Sequence, residues 1–202
     1  MTDLAEMLKG LTDIPIALLA GIFGILLHKK ESKKWAFLFF LICVSGILGA
    51  LVHTFEMPKL LKNVLWIILY VFLFELIRRF AKLVADYVSG KEEKEKIWVY
   101  ISEIFLYAVT VIWMFAVEKI NDIFIFIIFA FIMFVKIVVC LLKCEKVPNK
   151  LKLLMIMLFF PIILQALCNV IPYAVVFEHI FLAVALYVAY SIGTSTSKVG
   201  EL

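Results

Sequence analysis

The sequence predicts an all-α, polytopic membrane protein: a seven-transmembrane-helix bundle with its N-terminus outside and its C-terminus in the cytoplasm. Three observations predict it. Of 202 residues, 65% are hydrophobic and 18% charged, against roughly 25% charged in a soluble domain, so a water-soluble fold of this size could not hide its apolar surface. The apolar residues fall into seven stretches near the ~20 residues needed to cross a hydrocarbon layer. Lysines and arginines gather at alternate ends of those stretches.

The spans are placed at 14–28, 35–55, 60–83, 97–117, 123–142, 151–171 and 173–192, all within one domain, 1–202. The first is short. Thr12, Asp13 and Pro15 read as a helix start, so the amphipathic piece 4–11 either begins the same helix earlier or forms a separate interfacial turn. Pro58, Pro148 and Pro172 punctuate helix ends, while Pro161 falls inside the sixth span and predicts a kink. The charged run 91–96 reads as a solvated loop. Residues 1–9 carry acids and lack the basic start of a cleavable signal, so the first span is expected to be retained. Cys43, Cys140, Cys144 and Cys168 lie in or beside apolar segments, where free cysteine behaves as a small hydrophobe.

Orientation follows from the 20 lysines and arginines. Fifteen fall on one set of ends: Lys29, Lys30, Lys33, Lys34, Arg78, Arg79, Lys82, Lys91, Lys94, Lys96, Lys143, Lys146, Lys150, Lys152 and Lys198. Four fall on the other: Lys9, Lys59, Lys62 and Lys119. Lys136 lies within a span. The richer side belongs in the cytoplasm, so the N-terminus is outside, and an odd number of spans puts the C-terminus inside. The net charge of +4 is a topology signal on this reading, and nucleic acid is not expected as a partner.

Ionisable groups at membrane depth need a reason, because each costs about 2.5–3.5 kcal/mol to insert. Glu75, Glu103 and Lys136 are such groups. Glu103 paired with Lys136, and Glu75 neutralised by Arg78 or Arg79 one turn along, make a structural account; a proton or ion relay is the other. On the outer side Ser45, Gly49 and His53 recur every four residues of the second span, a small-residue face that lets a neighbouring helix approach. His179 opens the seventh span at the same level, Asp13 begins the first, and Glu56, Glu118 and Glu178 lie close in depth. In a sequential ring the first, second and seventh helices are neighbours, which brings Asp13, His53 and His179 together. Two imidazoles and a carboxylate suit zinc with an open water position, or a ligand pocket without chemistry. Gln165 and Asn169 on the sixth span would add polar contacts below that pocket. No nucleophile elbow, Walker loop or dinucleotide fingerprint is present.

The run Gly49 to His53 with Thr54 and Phe55, and Glu178-His179-Ile180-Phe181, resemble the alkaline ceramidase and progestin/adiponectin receptor superfamily. That resemblance implies seven helices, an outside N-terminus as in the ceramidase branch, and a zinc site between the second and seventh helices. The sequence departs from it at Gly49, where the superfamily has a serine, and at Ala183, where it has a second histidine. A microbial rhodopsin is excluded in its usual form, since the last span has no lysine for retinal.

The functional expectation is an outward-facing polar pocket of the cell membrane that binds or senses a lipid or small-molecule ligand without catalysis. A zinc-dependent hydrolase of lipid amides or esters, and a proton-coupled transporter or channel using Glu75, Glu103 and Lys136, are the alternatives. Membrane lipid is the expected partner.

Overall fold

The computed structural model describes residues 4–90, 147–167, 171 and 173–196, together with isolated positions between 101 and 142. It is all-α. Five helices are described: α1 (Leu4–Lys29), α2 (Lys33–Thr54), α3 (Lys59–Ser89), α4 (Asn149–Leu167) and α5 (Ala174–Thr196). Among the described residues four of them, α1, α2, α3 and α5, are long and apolar enough to cross a membrane. The fourth and fifth proposed spans lie almost wholly outside the described residues.

The chain divides into two compact units, Met1–Leu76 with Lys146–Leu202, and Ile77–Glu145. In the second, Lys82 meets Asp86 one turn on at 3.6 Å. The last helical turn of α3 donates Ser89 Oγ to Asp86 O, and Gly90, at φ 63°, supplies the left-handed residue that commonly ends a helix.

The first unit holds the structure around the site. α1 does not begin at Thr12. It runs unbroken from Leu4 through Pro15, and the Thr12 hydroxyl donates back to the carbonyls of Leu8 and Lys9 instead of capping a new helix. What holds the upstream turns is packing. Gly10, Ala17, Gly21 and Gly24 make a small-residue seam along α1, and α2 lies close against it. A Cβ on Gly10 would run into Thr54, one on Gly46 would meet Ala17 Cβ at 2.9 Å, and one on Gly24 the Phe40 ring at 2.9 Å. Close approach through small residues is how helices associate where lipid removes the hydrophobic drive between them.

α1 and α2 form an antiparallel hairpin with a tight turn. Ser32 N–H donates to Leu27 O and Glu31 N–H to His28 O, the two bonds of a Schellman ending, with Glu31 at φ 61° where glycine is usual. The Ser32 hydroxyl donates to Gly193 O at 3.0 Å, tying this turn to the far end of α5. α5 runs parallel to α1, since Asp13 meets His179, Phe23 stacks on Tyr190 at 4.6 Å, and Leu27 abuts Gly193. α4 is antiparallel to α5, with Phe160 stacked on Phe181 and Lys150 reaching Ser191. Pro161 lies buried within α4.

Burial follows the seam. Ala20 and Phe39 are fully buried, whereas Leu18 is 64% and Ile22 56% exposed. An outward face of Leu11, Ile14, Leu18, Ile22 and Ile25 around a small-residue interior is the arrangement expected when hydrocarbon, not water, is the solvent.

Candidate functional site

Two acid–imidazole pairs sit at the end of the first unit where α1 and α5 begin and α2 finishes. The continuous α1 places Glu6 and Asp13 two turns apart on one face. Asp13 Oδ1 lies 3.0 Å from His179 Nε2, and His179 Nδ1 donates to the Val175 carbonyl at 2.8 Å. With Nδ1–H committed to the Val175 carbonyl, Nε2 is the ring nitrogen that faces the carboxylate. Both side chains are largely buried, at 21% and 11% exposure for Asp13 and His179. Asp13 can reach across only because Gly49 has no side chain: a Cβ there would stand 2.5 Å from Asp13 Oδ2.

His53 takes a different partner. Its Nδ1 lies 2.7 Å from Glu6 Oε2, and the other Glu6 oxygen accepts from Lys9 at 3.1 Å. The imidazole stands edge-on to Trp66 at 5.1 Å, and Trp66 stacks on Tyr70 at 5.6 Å. The Glu6 carboxylate is more exposed than Asp13, which makes this the wetter of the two pairs, although α3 gives it an aromatic wall.

The proposed set Asp13, His53 and His179 is therefore divided between two pairs. Among the described residues, no three His, Cys, Asp or Glu side chains stand close enough together to hold a metal ion. Asp13 and His179 could supply two donors to zinc. The third proposed donor is turned to Glu6, and Ala183 occupies the position one turn along α5, so the described residues do not fit a zinc centre.

Ser45 is buried on the face of α2 that carries Gly49, and its hydroxyl has no hydrogen-bond partner among the described residues. Thr54 Oγ1, against Gly10, is likewise buried without one. Glu56 is exposed in the connector after α2, and Glu178 is half-buried beside His179. Gln165 belongs to α4, while Asn169, Glu103, Lys136 and Glu118 lie outside the described residues. Glu75 is half-buried on α3.

Glu6, Lys9, Gly10, Thr54 and Trp66 were not legible as site residues while the segment before Thr12 could be a separate turn. One signal could have found Glu6: it precedes Asp13 by seven residues, which is the same face of an uninterrupted helix.

These features define, among the described residues, a helical protein with four helices long and apolar enough to cross a membrane and paired ionisable groups inside the packing of α1, α2 and α5. The chain belongs to DUF6962, a family of unknown function, whose family model matches residues 8–196. No curated protein and no solved structure matches it.

Proposed function

We propose that the protein is a seven-span protein of the cell membrane, N-terminus out and C-terminus in, whose outer polar pocket binds or senses a lipid or small polar ligand without catalysis. The parallel course of α1 and α5 supports an odd number of crossings, because the chain must reverse direction an even number of times between them. The observation that carries the ligand reading is the Ser45 hydroxyl. A buried polar group with no partner costs about 1–3 kcal/mol, and a hydroxyl placed one turn from the Asp13–Gly49 contact offers that free energy to a polar ligand. The carboxylates and imidazoles around it are already partnered, which suits orienting a ligand better than activating water. The superfamily resemblance supports the pocket's position between these helices; the hydrolase that it also implies has no third metal donor among the described residues.

The test is thermal unfolding of the purified protein in lipid nanodiscs with a panel of sphingolipids, lysolipids and small amides. Wild-type protein should be stabilised by at least one class, and Ser45→Ala should lose that shift while keeping or gaining stability without ligand. A Ser45→Ala protein that is clearly less stable than wild type without ligand would mean that the hydroxyl is already satisfied, and the reading would fall.

A further inference from the structure

We infer that the opposite end of the bundle holds the headgroup of an anionic phospholipid at a corner formed by Lys150, Ser191 and Ser195. Lys150 Nζ donates to Ser191 Oγ at 2.8 Å and to Ser195 Oγ at 3.4 Å, and Ser195 Oγ passes its own proton to Ser191 O at 2.8 Å. An ammonium has three N–H donors. Two are spent on these hydroxyls, which fix the charge in place and leave the third for an anionic oxygen. A lysine fixed before binding loses less side-chain freedom when the ligand arrives.

The surroundings are cationic. Lys30 Nζ stands 5.6 Å over the ring of Tyr190, the neighbour of Ser191 in the chain, and the turn that carries it is tied to α5 through Ser32 and Gly193. Lys29, Lys33, Lys34 and Lys152 are exposed at the same end, with Glu31 the acid among them.

What selects a lipid over free phosphate lies on the same helix face. Counting back from Ser195 and Ser191, the next positions on that face of α5 are Tyr187, 62% exposed, and Val184, 41% exposed, while Leu153 on α4, three residues after Lys150, is 42% exposed. A fixed ammonium with hydroxyls above a bare apolar stripe matches a phosphate headgroup above its acyl chain. This inference rests on the bilayer reading of α5, not on which side of the membrane its end faces.

Native mass spectrometry of the full chain from nanodiscs of mixed phosphatidic acid and phosphatidylcholine tests it, because both membrane faces are then accessible. Wild-type protein should retain phosphatidic acid preferentially. Lys150→Gln should lower that preference about fivefold, the effect of one basic group near an anionic headgroup. Ser191→Ala with Ser195→Ala should lower it in the same direction with the charge intact, and Lys150→Arg should restore most of it. Lys62→Gln, at the other end, should leave it unchanged. Unaltered preference in folded Lys150→Gln protein, an equal loss in Lys62→Gln, or displacement of the lipid by millimolar inorganic phosphate would each overturn the inference. A reversed membrane orientation, found by labelling, would remove the topology proposed above and leave these results untouched.

Discussion

Replacing Gly49 with alanine should destabilise the protein, and the same replacement should become harmless once Asp13 is gone. A Cβ at Gly49 would have three neighbours within 4 Å, all in the Asp13 carboxyl group: Oδ2 at 2.5 Å, Cγ at 3.2 Å and Oδ1 at 3.7 Å. The carboxylate must move, and it cannot move far without leaving His179 Nε2, 3.0 Å away. Overpacking costs about 1–3 kcal/mol and a hydrogen bond to a charged group contributes about 1.5–3 kcal/mol. The two losses share one displacement and do not add fully. Against them stands about 1 kcal/mol gained because alanine is the better helix former, giving a net loss of about 2–3 kcal/mol. In an Asp13→Ala background the three contacts vanish and the helix term remains, so Gly49→Ala should stabilise by up to about 1 kcal/mol. Reversible unfolding in mixed micelles, read by circular dichroism for the four proteins of this cycle, gives both values. An equal penalty in the two backgrounds would refute the placement of Asp13 over Gly49.

Gly10→Ala should cost about 1–3 kcal/mol in the same assay, because besides the Thr54 hydroxyl its Cβ meets backbone atoms, Thr54 N at 3.1 Å and Ala50 O at 3.2 Å, which cannot swing aside. Gly24→Ala faces the Phe40 ring, a side chain that can rotate, and should cost less than Gly10→Ala. Double-mutant cycles should give a larger coupling for Asp13 with His179 than for Glu6 with His53, since Glu6 is 39% exposed against 21% for Asp13 and water screens the more open pair. Glu31→Gly should raise stability by about 1 kcal/mol, because a left-handed backbone strains any residue with a Cβ, and a melting temperature at or below wild type would count against that turn.

The positions of the described helices, and some of their ends, were legible because hydrophobic runs and the lysines that bound them follow directly from the bilayer's thickness and charge preference. Other ends differ: α3 runs on to Ser89, past the expected 83, and α4 is described to Leu167, short of the expected 171. α2 illustrates this: the sequence places it at 35–55, and the helix spans Lys33–Thr54. The face made by Ser45, Gly49 and His53 was legible too, since a spacing of four with small side chains means protein contact whatever the partner. The start of α1 was not. Thr12, Asp13 and Pro15 carry the local chemistry of a helix beginning, and only contacts from elsewhere, Gly10 against Thr54 and Glu6 against His53, decide that the helix continues. The partner of His53 was hidden for the same reason, because pairing depends on which turn of α1 faces the end of α2. Depth alone grouped His53 with Asp13, and Glu6, two turns or about 10 Å further along α1, became a candidate only because the helix runs on to Leu4.

The arrangement depends most on α1 and α5 running side by side in the same direction from one face of the membrane. Cysteine labelling tests this directly in a chain whose four native cysteines are replaced by alanine. Glu56→Cys in the connector after α2 and Tyr173→Cys before α5, both exposed, should react with a membrane-impermeant maleimide in intact cells, whereas Lys33→Cys at the start of α2 should react only after permeabilisation. Labelling of positions 56 and 173 from opposite sides would contradict the account.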